Sequence, residues 1–171
     1  MTSIHDCEYL LNLPKKVESN GNIKEAIVFN GAVPIRYSFT LVSLECSGIT
    51  FQYDINQSEK NHFKLSLYLM YDDEKIGLFR VDYNGQHKNP EGIIATLPSK
   101  FHQYAGKWFT FNEPHIHYHV DGYKPLAWAV PLDEKFKIKE LNDQSDVVGA
   151  CLEFNDLINL QTKFLGNGLL L

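Results

Sequence analysis

The segment Pro114-His115-Ile116-His117-Tyr118-His119-Val120-Asp121-Gly122 sets three imidazoles at alternate positions. Side chains alternate across a strand, so His115, His117 and His119 project from one face while Ile116, Tyr118 and Val120 project from the other. The apolar set is what a core requires, which predicts histidines facing solvent or a cleft. A second run, Phe79-Arg80-Val81-Asp82-Tyr83-Asn84-Gly85-Gln86-His87, has the same logic: Arg80 and Asp82 share one face, and Phe79, Val81 and Tyr83 take the other. If the two strands are neighbours, Arg80, Asp82, His87, His115 and His117 form one polar cluster.

Three chemistries fit these residue types. In the first, the histidines hold a divalent metal such as zinc, with His115, His117 and His119 as ligands, or two histidines and a carboxylate hold non-haem iron. Same-face positions along a strand lie roughly 6.5–7 Å apart, so two converge on one ion more easily than three. In the second, the cluster of Arg80, Asp82, His87, His115, His117 and His119 is a metal-free catalytic site for a phosphodiester such as RNA. His117 is then the acid or base, Arg80 forks the phosphate, and Asp82 fixes an imidazole tautomer. In the third, Arg80 and Asp82 are a surface ion pair worth ~0–1 kcal/mol and the histidines are solvated. The same face would then serve a non-catalytic protein that binds a protein partner. Residue type and spacing leave all three open.

The elements that must position these residues are short strands. Runs rich in β-branched and aromatic residues predict strands over Glu25 to Phe29, Ile35 to Cys46, Ile49 to Ile55, Phe63 to Tyr71, Lys75 to Tyr83, Trp108 to Phe111, His115 to Val120 and Leu126 to Val130. Asp72-Asp73, Asn84-Gly85 and Asp121-Gly122 supply turns, so most pairs should be antiparallel. Pro125 lacks an amide donor, which makes the following strand an edge or delays its start beyond the proline. An edge there would allow a homodimer. Ser3 to Leu13 reads as a short helix stopped by Pro14. Val147, Cys151, Phe154, Ile158 and Phe164 or Leu165 share one face of a C-terminal helix, with Ser145 as cap and Gly166 as stop. The expected architecture is one α+β domain over residues 1–171, a mainly antiparallel sheet with a short N-terminal helix and a C-terminal helix packed on it.

Composition agrees with a folded chain. Of 171 residues, 44% are hydrophobic, 22% charged and 13% aromatic, which excludes a disordered chain or a coiled coil. The net charge of -5 argues against a broad basic surface, so any nucleic-acid contact must be local. Cys7, Cys46 and Cys151 are widely spaced, which suits free thiols. No apolar run approaches the ~18 residues of a membrane helix, and His5, Asp6 and Glu8 stand where a secretory signal would be basic and then apolar. A cytoplasmic protein with no membrane contact is expected. Trp108, Phe109 and Phe111 beside Lys107 suit a core at their strand spacing, though they could stack bases. No glycine-rich phosphate loop or nucleophile motif is present.

The pattern Arg80-x-Asp82, Gly85-x-His87-x-Asn89-Pro90-x-Gly92, His115-x-His117, Gly122-Tyr123 and Trp128-Ala129-x-Pro131-Leu132 resembles a bacterial protein family of no assigned activity. That resemblance covers roughly Arg80 to Leu132, with weaker similarity around Phe154 to Leu160. A looser likeness runs to the TumE-type toxins of toxin/antitoxin pairs, which also combine an Arg-x-Asp strand with downstream histidines. It implies an RNA-directed toxin. The His-x-His spacing is also similar to that of cupins, where a Glu follows; Asp121 would stand in its place.

Overall fold

The computed structural model describes residues 4–132 and 136–166. The chain runs α1 (Ile4–Asn12), β1 (Lys15–Ser19), β2 (Asn22–Ile23), β3 (Ala26–Phe29), β4 (Arg36–Ser43), β5 (Thr50–Gln57), β6 (Leu65–Tyr71) and β7 (Ile76–Tyr83). Then follow β8 (His87–Lys88), a 3-10 helix (Ser99–Tyr104), β9 (Trp108–Phe109), β10 (His115–Tyr118), β11 (Trp128–Pro131), α2 (Gln144–Leu157) and β12 (Lys163–Gly166). Eight strands form one sheet in the order β11-β10-β7-β6-β5-β4-β1-β2. Every neighbouring pair in it is antiparallel, so the expected α+β architecture is what the chain adopts. Ser3, the expected start of the first helix, lies outside the described residues.

The main core lies on one sheet face. Alternation along β5 turns Phe51, Tyr53 and Ile55 inward, and β7 adds Phe79, Val81 and Tyr83. The helix α2 covers this face, stacking Phe154 on Tyr53 at 5.3 Å and setting it 5.8 Å from Phe79. Its cap is Asp143, whose carboxylate accepts the Asp146 N–H at 3.0 Å, where Ser145 was expected. It also stops earlier than the apolar period suggests. Asn159 adopts φ 54, the left-handed conformation that ends helices, and Phe164 and Leu165 then lie on β12, parallel to β3. There the period is two: Phe164 packs 4.8 Å from Phe29, and Leu165 is exposed.

The strand β1 carries no strand signal, since Lys15-Lys16-Val17-Glu18 reads as polar. Lys15 is nevertheless fully buried. Its ammonium donates to the carbonyls of Leu11 at 2.8 Å, Leu13 at 2.7 Å and Ile158 at 3.0 Å, using all three N–H groups. It thereby satisfies backbone acceptors at the ends of both helices.

The second sheet face is covered at one end only. Residues 84–114 and 119–127 fold back over β7, β10 and β11, using the β8–β9 ribbon and the 3-10 helix. A smaller core of Leu97, Phe101, Val120 and Trp128 forms under this roof. Val120 therefore packs away from the main core, against expectation, because β10 ends at Tyr118 and its alternation ends with it. The edge strand β11 begins at Trp128, beyond Pro125. No helix among the described residues is long and apolar enough to cross a membrane.

Candidate metal and phosphate site

The register of β7 against β10 sets His115 opposite Asp82 and His117 opposite Arg80. The cluster expected if these strands were neighbours is thus assembled. Its setting differs from the expectation: His115 and His117 are fully buried, because the roof seals the face that sequence alternation assigned to solvent or a cleft. Phe109 packs 4.7 Å from the His115 ring, and His87 lies edge-on to His117 at 4.5 Å. Solvated histidines beside a surface ion pair are excluded by this burial.

Each imidazole is held by a backbone carbonyl. His115 Nδ1–H donates to Glu113 O at 2.7 Å, His117 Nδ1–H to Leu126 O at 2.9 Å, and His87 Nε2–H to Ala127 O at 2.9 Å. A carbonyl only accepts, so the proton sits on that nitrogen and the other nitrogen of a neutral ring presents a lone pair. Asn89 anchors the roof beside His87, donating to Tyr104 O at 3.0 Å and Ala129 O at 2.7 Å and accepting the Ala129 N–H at 2.8 Å.

The lone-pair nitrogens converge. His115 Nε2 is buried with no hydrogen-bond partner and lies 3.8 Å from Asp82 Oδ2; His117 Nε2 lies 3.1 Å from the same oxygen. One ligand atom from each of Asp82, His115 and His117 falls within 4.8 Å of the others, so these three residues could hold a metal ion. His119 is outside this set. It lies past the end of β10 and pairs with Asp121 at 3.4 Å, so the three histidines do not converge and Asp121 does not complete a cupin-like set. The carboxylate comes instead from Asp82, a ligand that strand pairing supplies and that no local spacing reveals.

Charge balance in the cluster is tight. Arg80 Nη2 lies 2.9 Å from His117 Nε2, and Arg80 Nε lies 2.9 Å from Asp82 Oδ2 with its N–H out of line for a hydrogen bond. Ser66 Oγ donates to Asp82 Oδ1 at 2.7 Å. Burial alone would push the Asp82 carboxyl up, but Arg80, Ser66 and the hydrogen bond that His117 Nε2–H gives when the ring is charged outweigh it and hold the pKa at about 2. Burial pushes His115 down to about 4, against the pull of the Glu113 carbonyl, and burial likewise lowers His87. Both rings favour the neutral form, which is the form that binds metals.

The cluster opens through Arg80 onto the uncovered part of the sheet. A cavity of ≈ 350 Å³ lies between Asp54, Asn56, Ser66, Tyr68 and Arg80 on the strands and Pro125 and Leu126 on the roof. A second, of ≈ 270 Å³, shares Asn56, Ser66 and Arg80 and is lined further by Lys64, Asp82 and Gln86. A larger cavity of ≈ 450 Å³, beside Phe63, Asn84 and Asn142, touches none of the cluster residues.

A family model described as a family of unknown function, DUF6978, matches residues 3–160. The chain belongs to that family. No curated protein and no solved structure matches it. The family match spans the whole cluster and its roof but brings no activity with it, so the chemistry rests on the side chains.

Proposed function

We propose that this DUF6978 member is a divalent-metal-dependent phosphodiesterase, with Asp82, His115 and His117 holding an ion such as zinc and Arg80 receiving the substrate phosphate. The observation that carries the reading is His115 Nε2, a buried lone pair with no partner, aimed at the carboxylate it would share an ion with. Leaving a buried polar atom unpaired costs about 1–3 kcal/mol, a cost that an ion would remove. Two nitrogens and one oxygen suit zinc or ferrous iron and leave positions open. The carbonyls behind His115 and His117 and the Ser66 hydroxyl behind Asp82 are the outer partners that orient metal ligands.

Such an ion supplies Lewis acidity toward a phosphoryl oxygen and the means to activate water at neutral pH. The chain supplies the rest. Arg80 offers a planar fork to the phosphate oxygens, and its guanidinium lies beside two of the three ligand atoms, so a phosphate held by the fork is brought next to them. The roof excludes bulk water from His115 and His117. RNA is the macromolecular substrate in view, in keeping with the toxin likeness.

A second reading is favoured by the 2.9 Å contact between Arg80 and His117. Arg80 is then the site's own cation, and His117 Nε2 exchanges a proton with the substrate while Asp82 steadies the imidazolium. Two measurements separate the readings: elemental mass spectrometry of the untagged protein, and hydrolysis of bis(p-nitrophenyl) phosphate with and without chelator. A near-stoichiometric ion, lost in the His115→Ala/His117→Ala double variant along with hydrolysis, is expected. Hydrolysis that survives complete chelation would replace the first reading by the second. No ion and no hydrolysis, even with zinc or manganese supplied, would overturn both.

A further inference from the structure

We infer that the two cavities flanking Arg80 are the two halves of one substrate seat, which takes a single phosphodiester linkage with a nucleoside on either side. The ligand class is a short single-stranded stretch of nucleic acid. This rests on the phosphodiesterase reading and narrows its substrate.

Both cavities are lined by Arg80, Asn56 and Ser66, so the guanidinium stands between them and not at the end of one. A phosphate monoester has one organic substituent and would fill one side. A diester has two, and a phosphate held at Arg80 would direct one into each cavity. The sides differ in chemistry. On one, Tyr68, Pro125 and Leu126 line the cavity, an aromatic ring and two apolar side chains against which a base can stack without regard to sequence. The side-chain amide of Asn56, on the lining that the two cavities share, makes no hydrogen bond among the described residues, so it can meet a base edge. The other side is polar, with Lys64, Gln86, Ser58 and Asp82, and suits the hydroxyls of a ribose.

Charge limits the length of what binds. The net charge is -5, and among the described residues Arg80 and Lys64 are the cations lining the groove, set against Asp54 and Asp82, so there is no track for a polyanion. Binding should therefore weaken only gently with salt, with a log–log slope of about -0.7 to -1.4 for one or two phosphates on a single strand.

The test uses the purified full chain and the phosphorothioate of an adenosine dinucleotide, which keeps the charge and resists hydrolysis, with AMP as comparison. Affinity and amide shifts are read by NMR titration. The dinucleotide should bind about tenfold more tightly than AMP, with shifts around Tyr68 and Leu126 and also around Lys64 and Gln86. Tyr68→Ala should remove about that tenfold gain, and Asn56→Ala, on the lining the two cavities share, provides a second variant if Tyr68→Ala does not fold. Equal affinity for the two ligands, shifts confined to one cavity, or full affinity in both variants would overturn the inference. The ion content and the bis(p-nitrophenyl) phosphate assay report on the parent reading separately. Hydrolysis without dinucleotide preference sinks only the two-sided seat, and two-sided binding without hydrolysis or ion sinks only the phosphodiesterase.

Discussion

Arg80 Nη2 rests 2.9 Å from His117 Nε2, placing a guanidinium against a nitrogen that would ligate an ion. The same guanidinium contacts Asp82 Oδ2, so one side chain engages two of the three ligand atoms. An ion at these atoms and Arg80 therefore compete for the same lone pairs.

Arg80→Gln should consequently bind zinc about tenfold more tightly, because a like charge at close range is removed. Its KM for a phosphodiester should rise over the same change, because the fork is lost. Titration calorimetry and steady-state kinetics measure the two; a variant with weaker zinc binding would show that Arg80 supports the ligands and does not oppose an ion.

Ser66→Ala removes the hydrogen bond to Asp82 Oδ1 while leaving all three ligand atoms in place. Metal affinity should fall about 10–100-fold, the usual effect of losing an outer partner. Thermal stability should change little, so calorimetry with zinc beside a melting curve distinguishes a weakened site from a damaged fold.

Acid should destabilise the chelated protein in two stages. His115 has its pKa lowered from 6.5 to about 4, so between these values the unfolded chain takes up a proton that the folded one refuses. Stability is therefore full above pH 6.5 and falls as the pH drops toward 4, by roughly 3 kcal/mol at most. Below that, Asp82 contributes: its stabilisation is present above the ordinary carboxylate value and is lost as the pH falls through about 2. Urea midpoints measured from pH 8 to pH 4 should decline, and His115→Gln should flatten the decline.

Lys15→Met keeps much of the side-chain volume but strips three buried carbonyls of their donor. Breaking a buried charged network of this kind costs about 3–5 kcal/mol, which chemical denaturation would register. A loss below about 1 kcal/mol would mean that water replaces the ammonium.

Much of the fold was legible because local pattern and tertiary demand agree in it. The alternation over β5, β6 and β7 is that of strands with one buried face, and the pairing of Arg80 and Asp82 with His117 and His115 follows from two adjacent strands with matching faces. What could not be read depends on contacts far along the chain. The roof that buries His115 and His117 is built from short, polar, turn-rich pieces such as His87–Lys88, whose packing has no periodic signature. His119 looked equivalent to its neighbours because spacing carries no information on where a strand stops. Lys15 reads as surface because only the distant carbonyl of Ile158 and the end of α1 make its burial tolerable.

That last contact separates its partners by 143 residues. At about 5–20 residues per second, a ribosome needs roughly 7–30 s between making the lysine and making the carbonyl that completes its shell. Throughout that interval the nascent chain holds a cation it cannot yet bury, so β1 cannot close onto the sheet edge in its final form. Cooperative folding should thus begin only when α2 has been made, and ribosome-bound chains halted before Ile158 should remain open to protease at β1.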